Sequence, residues 1–545
     1  MGSEIGDRRS IFDEWKIGGM HLRVDNRIRI YEASAEERER FTTLCTHDNP
    51  ARASLSALEG ELRKRPHDKR LYGQVMRMRQ EPVRFTLART ESDGSISLPR
   101  GLWSRLPLGG CRNVEDQRSK GSLGSPKWGA PKKTPRDYQA PALQAMMLKQ
   151  QGILRFPAGS GKTFLLLECA RRIGLPTICI VPTQALLEQW IAVAIADFGL
   201  RAEEIGVIGN GVDRVREITF ATVDSLAANE SERAKRCAND FGVLLFDEIY
   251  SAPARTRFAV VDCFAARYRF GAGDDERRKD DLEALTYDLF GEVIAEAKRR
   301  DLEKKGAIMP VRVRLVDTGV EPPRWWTKLS PLARSNRYTE LIRYLEDDVQ
   351  RAALIAALVN RSAREGQVLV FAHHVDHVQR VHADSLAASP YIENSPSFIG
   401  DLRGATGYFL GGDKMKSERQ ETTTRLLEGT CRAAFATYKA LGKGINLPAV
   451  ERAVLTTPIH GNKDGVNQVL ARLNRTSEGK AQPEAVVLYD EKVFGVSPVR
   501  KFQAGGREVV VEMRDGSVIP AKEYLSDRDE RKAGGEASSF FDGLR

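Results

Sequence analysis

The chain has no Cys-x-x-Cys pair. Its seven cysteines, at positions 45, 111, 169, 179, 237, 263 and 431, are odd in number and widely scattered over 545 residues. That spacing argues against a zinc site and against a disulfide framework, and it points to a reducing, cytoplasmic compartment. No apolar run approaches the roughly 18 residues that a membrane span needs. The first ten residues, Met1 to Ser10, contain no apolar segment, so no secretory leader is expected. No nuclease signature stands out. What is there is the composition of a soluble globular protein, 41% apolar and 29% charged. At about 150 residues per domain, the length predicts three or four domains.

The net charge of +10 is unevenly distributed. Residues 1–50 carry 8 Lys/Arg against 10 Asp/Glu, whereas residues 51–136 carry 19 against 8. A surplus confined to one segment predicts a polyanionic partner; a basic surface without function is the alternative.

One stretch organises the rest: Phe156-Pro157-Ala158-Gly159-Ser160-Gly161-Lys162-Thr163. It follows an apolar run, Gly152 to Phe156, and opens a second one, Phe164 to Ile173. A strand, a glycine-rich turn closing in Gly-Lys-Thr and then a helix are the context of a phosphate-binding loop. Small residues let backbone N–H groups converge on a polyphosphate at a helix N-terminus. In that pattern Lys162 reaches the β- and γ-phosphates and Thr163 holds Mg²⁺. Phe156 stands where the strict pattern has glycine.

Taken in order, residues 1–15 read as a flexible lead and 16–108 as a basic α+β accessory domain. Within the latter, His21–Tyr31 predicts a hairpin turning at Asp25-Asn26 and Ala35–Leu44 predicts a helix. A second hairpin is expected between Val83–Ala88 and Ser92–Leu98. Residues 109–135, rich in Gly, Ser, Pro and Lys, read as a linker. From 136 to 320 strands and helices alternate, with strands expected at Thr177–Val181, Glu217–Ala221 and Gly242–Phe246 and a helix at Gln184–Phe198. After a connector at 321–350, a second series over 351–500 has candidate strands Gln367–Phe371, Thr406–Leu410, Arg432–Ala436, Ala453–Thr456 and Glu484–Leu488. Continuous apolar strands between helices predict parallel sheets covered on both faces. Residues 501–545 read as a hairpin followed by a charged, disordered tail.

The second carrier of chemistry is Leu244-Leu245-Phe246-Asp247-Glu248. Adjacent carboxylates at the end of a buried strand need a cation. Beside a phosphate loop that cation is Mg²⁺, with Asp247 as its ligand and Glu248 as the base for an attacking water.

The order of these motifs resembles the superfamily 2 helicases, and within them the DNA-directed XPB, RecG-like and UvsW-like branch. Arg136-Asp-Tyr-Gln139 is similar to the adenine-side motif, with Gln139 the implied adenine contact. Val181 to Trp190 and Phe220 to Leu226 resemble the strand-end motifs that bind the DNA backbone, which implies Thr183, Gln184 and Thr222 as DNA contacts. In the second domain, Val368–Ala372, Ala436–Pro448 and Gln468–Arg475 are similar to the three later motifs. There the resemblance implies Thr437 on DNA, Gly444 on the nucleotide, and Gln468, Arg472 and Arg475 in catalysis. Arg472 and Arg475, three apart, are expected to share one helix face and to act as arginine fingers. The resemblance covers residues 134–490 and implies an α/β fold of two tandem RecA-like domains behind a small α+β domain, with ATP and Mg²⁺ at their interface.

Four positions depart from the family pattern. Gly273-Asp274-Asp275 stands where Ser/Thr-Ala-Thr is usual, Tyr250 where His or Asp is usual, Asn446 for Asp, and Ala471 for Gly. Two smaller clusters stay open. His373, His374, His377 and His382 read as a helix surface, with a metal site as the alternative. Trp325-Trp326 reads either as a stacking platform for bases or as interdomain packing. The implied activity is ATP-driven movement on DNA, with unwinding or branch migration as the outcome. An ATP-gated DNA-binding subunit without strand separation, or an RNA helicase, is the alternative. A protein partner is expected, if anywhere, at the N-terminal domain or the C-terminal tail, and no membrane partner is expected.

Overall fold

The computed structural model describes residues 20–49, 55–64, 66–106, 113–250, 254–274, 282–330, 333–334, 337–389, 402–411, 415–438, 447, 449–457, 469–470, 472–476 and 479–533. The chain divides into two compact units: residues to 157 together with 161–298, and 158–160 together with 299–545.

The first unit begins with a five-stranded sheet in the order Arg89–Thr90, Ile96–Pro99, Arg27–Tyr31, His21–Val24, Asn113–Asp116. The expected hairpin forms, with Leu22 opposite Ile30 and Val24 opposite Ile28. Leu22, Ile28 and Ile30 share one core and Val24 is buried as well, the alternation that a half-buried strand pair requires. Helix Ala35–Leu44 has the expected bounds, and Ser34 and Glu37 close a capping box at its start.

Two expectations fail here. Arg84–Thr86 pairs with Thr46–Asp48, and the hairpin partner of Ile96–Pro99 is instead Arg89–Thr90. Between Thr46–Asp48 and Arg84–Thr86 stand two helices, Leu55–Lys64 and Lys69–Gln80. The segment 109–135 is no free linker over its described part. Asn113–Asp116 pairs in parallel with His21–Val24, and Ser119 bridges to Ala266. Gly129 donates its N–H to the Phe198 carbonyl.

The eight-stranded sheet that follows runs Val212–Arg214, Ile205–Gly209, Ile218–Thr222, Thr177–Val181, Val243–Phe246, Tyr268–Gly273, Gln151–Arg155, Val293–Glu296. Every pairing but that of Val212–Arg214 is parallel. Separate apolar cores cover its two faces, one holding Leu154, Leu245 and Trp190, the other Ile153, Phe246 and Phe290.

The second unit is built on another eight-stranded sheet: Thr406–Phe409, Ala433–Thr437, Val368–Ala372, Arg452–Leu455, Glu484–Tyr489, Arg312–Asp317, Val509–Glu512, Val518–Pro520. All five strands expected after residue 351 are in it. Arg312–Asp317, assigned from the sequence to the first domain, belongs here and pairs in parallel with Glu484–Tyr489. The expected C-terminal hairpin joins the same sheet through Val509–Glu512. The described chain continues past Pro520, and the rest of the expected tail, residues 534–545, lies outside the described residues. Ala521–Ala533 is a helix whose Tyr524 and Leu525 are buried. The fold is thus two tandem RecA-like α/β domains behind an α+β region. Among the described residues no helix is long and apolar enough to cross a membrane.

Candidate nucleotide and nucleic-acid site

In the first unit, Gln151–Arg155 delivers the chain into the phosphate loop, and Gly161 caps the helix Lys162–Ile173. Gly159 and Gly161 have φ of +84° and +79°, a region that only glycine enters without strain. A Cβ on Gly161 would also stand 2.9 Å from the Gln139 amide nitrogen. Gln139 is 2% exposed; its amide donates to the Gly161 carbonyl at 3.4 Å and accepts from the Arg136 N–H at 3.0 Å. In this structure Gln139 thus ties the Arg136–Gln139 turn to the loop itself.

Lys162 is buried. Its Nζ donates to the Phe156 carbonyl at 2.9 Å and lies 3.9 Å from Glu248 Oε1. Thr163 is half-buried one residue further along the helix. The acid pair leaves the end of strand Val243–Phe246. Asp247 is 4% exposed; its Oδ2 accepts from the Trp190 indole N–H at 3.0 Å and its Oδ1 from the Glu248 backbone N–H at 2.9 Å. Burial pushes the Asp247 carboxyl up to about 6; the neighbouring Glu248 charge adds to the rise and Lys162 opposes it. Glu248 has φ of +53°, a costly conformation for a non-glycine residue that persists only where its surroundings enforce it.

The implied DNA contacts sit at neighbouring strand ends. Thr183 caps helix Gln184–Phe198, and Thr222 caps the helical segment that opens at Val223 and breaks at Ala228–Ser231, each accepting a backbone N–H with its side chain. Their strands are adjacent and parallel, with Thr222 opposite Val181. Two helix N-termini therefore open on the same sheet edge, a setting favourable to phosphate.

In the second unit, Thr437 ends strand Ala433–Thr437 and is buried. Arg472 is helical and 6% exposed, whereas Arg475 lies past the turn at Asn474, outside the helix. The expected shared helix face is thus not formed, because the helix ends between the two arginines. Burial pushes the Arg472 guanidinium down to about 9, with Arg475 adding to the drop; burial lowers Arg475 as well. Gln468, Gly444 and Asp275 lie outside the described residues.

The histidine stretch is not a helix surface. His377 is 1% exposed in helix Val375–Ala387. His374 pairs with Glu346 at 2.7 Å, and His382 meets the Thr406 hydroxyl at 2.9 Å. Among the described residues no group of three or more His, Cys, Asp or Glu side chains is placed to hold a metal. The Trp pair packs inside the second unit. Trp326 is buried with Val320, Leu341, Leu345, Val493 and Phe494, and the Arg337 guanidinium covers Trp325 at 4.3 Å.

Trp190 is the contributor that the motif reading missed. Its burial was legible from the helical spacing of Leu186, Leu187, Trp190 and Ala194. A buried indole N–H needs an acceptor, and here the acceptor is Asp247.

Two family models match the chain. Residues 132–272 match "Type III restriction enzyme, res subunit", and residues 350–477 match "Helicase conserved C-terminal domain". The chain is 32% identical over 172 residues to the DNA 3'-5' translocase XPB2 of Sulfurisphaera tokodaii, covering 31% of this chain and 37% of that protein. It is 25% identical over 354 residues to a putative DNA 3'-5' helicase Rad25 of Halobacterium salinarum, covering 65% and 54% respectively. The matches thus span about half of these relatives' own lengths or less. Among solved structures, S. cerevisiae Dbp5 bound to RNA and ADP BeF3 shares the fold, with a TM-score of 0.50, 12% identity, and 74% and 94% of the two chains covered. With a phosphate-loop sequence, an acid pair and matches to these two models in this order, the chain is similar to the superfamily 2 helicases.

Proposed function

We propose that this chain is an ATP-driven DNA translocase that unwinds or branch-migrates DNA. The observation that carries this reading is the approach of Lys162, from the phosphate loop, to within 3.9 Å of Glu248 beside the buried Asp247. The two relatives named for 3'-5' activity on DNA support DNA as the track and 3'-5' as the direction.

The residues present suit a nucleoside triphosphate with Mg²⁺. Two left-handed glycines expose backbone N–H groups, and a buried acid held up to about 6 is stabilised in its charged form by a nearby cation. Ala158, Gly159, Ser160, Gly161 and Lys162 would cradle the phosphates, with Gln139 and Gly444 completing the nucleotide contacts. Thr163 and Asp247 would hold the metal, which neutralises charge on the β- and γ-phosphates when bound. Glu248 takes the proton of the attacking water and Trp190 fixes the Asp247 carboxylate, while the family resemblance assigns Gln468, Arg472 and Arg475 to the charge that would develop on the γ-phosphoryl group. Thr183, Gln184, Thr222 and Thr437 would grip the DNA backbone, so binding is sequence-tolerant and salt-sensitive.

A second reading has a specific observation behind it. Tyr250 and Gly273 replace the polar residues usual at those motifs, which suits an ATP-gated DNA grip without strand separation. Displacement of a triplex-forming strand and unwinding of a forked duplex by the purified chain test the two readings. Triplex displacement with ATP supports translocation, and added fork unwinding supports helicase action. Neither activity, with ATP-dependent DNA binding retained, favours the gated grip. RNA-only unwinding would overturn the DNA assignment.

A further inference from the structure

The turn carrying the acid pair is held by the end of one neighbouring strand, Tyr268–Gly273. Ile249 donates its N–H to the Ala272 carbonyl at 3.0 Å, and Phe156, at the entry to the phosphate loop, donates to the Gly273 carbonyl at 3.1 Å. The side chains follow the same plan. A Cβ on Gly271 would stand 2.8 Å from Ile249 Cγ2. A Cβ on Gly273 would stand 2.5 Å from Tyr250 Cε2 and 2.7 Å from Cδ2, closer than real Cβ atoms come to other groups. The Tyr250 ring is partly buried against the core that holds Phe246, Ile249 and Phe290. With the Tyr250 ring in this seat there is no room for a Cβ at 273, and the glycine leaves a socket that the ring fills. The two departures from the family pattern are one linked change.

We propose that Tyr250 is a positioning residue for the Asp247–Glu248 pair, acting through its seat on Gly273. Glu248 sits at φ +53° two residues before the ring, and a strained residue holds its conformation only while its neighbours fix it. Here the fixing elements are the Ile249–Ala272 hydrogen bond and the ring on Gly273. The same strand end also receives the phosphate-loop entry, so one short segment sets the acid pair and the loop relative to each other. This inference rests on the reading of Glu248 as the base for ATP hydrolysis.

A double-mutant cycle over Tyr250→Ala and Gly273→Ala in the full chain tests it, read as kcat and KM for ATP with DNA present and as amide exchange at Ile249. Gly273→Ala, which drives the ring from its seat, should lower kcat about tenfold or more, since small displacements of catalytic groups cost rates of that order. Tyr250→Ala should lower kcat several-fold with KM for ATP little changed, and should speed exchange of the Ile249 amide about tenfold. The double variant, with room restored for the Cβ, should turn over faster than Gly273→Ala alone. Additive losses in the double variant, or an unchanged Ile249 exchange rate in Tyr250→Ala, would overturn the proposal. Absence of turnover in the unmodified chain would instead overturn the hydrolysis reading, and the exchange rates would still decide the positioning role.

Discussion

Arg27 and Asp262, 235 residues apart, form a buried ion pair in which Arg27 Nη1 donates to both carboxylate oxygens at 2.9 and 2.7 Å. Asp262 lies just past helix Ala254–Val261, which follows the acid-pair turn. Two more N-terminal residues grip the next helix, Leu282–Phe290, where the buried Asp288 meets His47 at 2.6 Å and Arg105 at 3.0 Å. The N-terminal region is therefore built into the first unit, and part of its basic surplus is spent inward on structure.

Removing one partner of a buried pair leaves the other charge stranded, which costs about 3–5 kcal/mol. Arg27→Ala should thus destabilise the first unit by about 3 kcal/mol, with Arg89, 3.0 Å from Asp262, limiting the loss. The double change Arg27→Met with Asp262→Leu should cost less than either single change. Urea unfolding of the variants checks both statements.

The buried Trp190 indole donates to the Asp247 carboxylate, a residue of the proposed metal site. Trp190→Phe keeps most of the packing and removes the donor. Partners behind a metal-binding carboxylate typically contribute about 10–100-fold in metal affinity or activity. Titration of ATP turnover with Mg²⁺ should show half-maximal activity displaced to higher Mg²⁺ by about tenfold, while circular dichroism stays unchanged.

His377 offers a test in the second unit. Burial pushes its imidazole down to about 3, the nearby Arg351 and Arg380 guanidinium groups adding to the drop, with Asp376 opposing it and His374 close by. The folded chain thus keeps His377 neutral where the unfolded chain protonates it at about 6.5. Below pH 6.5 the unfolded state binds the extra proton, so this group lowers stability as pH falls from about 6.5 toward 3, at up to about 1.4 kcal/mol per pH unit. His377→Leu should flatten the stability–pH curve in that window, read as the urea midpoint for unfolding of the second unit.

Backbone contacts dominate the proposed grip on DNA. With 6–10 phosphates neutralised, affinity should fall about 10³–10⁵-fold between 50 and 200 mM salt, with little change between unrelated DNA sequences. Fluorescence anisotropy at several salt concentrations measures the slope.

Much of this architecture was legible from the sequence, for reasons particular residues make plain. Thr177–Val181 and Gln184–Phe198 fall on their expected bounds because a Thr183 cap and a left-handed Gly199 punctuate them. The acid pair and phosphate loop meet as expected because parallel strands deliver both motifs from the same sheet edge. The glycine-rich stretch before residue 135 misled, because composition does not distinguish a flexible glycine from one chosen for close approach. A Cβ on Gly121 would meet the Asp240 carbonyl at 2.8 Å, and one on Gly129 the Phe198 carbonyl at 2.6 Å. Arg312–Asp317 misled because its partners lie about 170 residues further along the chain, beyond any local pattern. Tyr250 and Gly273 each read from the sequence as a separate departure from the family pattern, and only their contact shows one replacement accommodating the other.

The central claim, a DNA-stimulated ATPase built on Lys162 and the acid pair, is tested most directly by steady-state ATP turnover. The full chain at low salt with Mg²⁺ would be assayed alone, with single-stranded, forked, four-way and duplex DNA, and with single-stranded RNA, beside Lys162→Ala. Turnover should rise with forked or four-way DNA and vanish in Lys162→Ala. Turnover that ignores DNA, responds to RNA alone, or survives in Lys162→Ala would contradict a DNA-stimulated ATPase at this site.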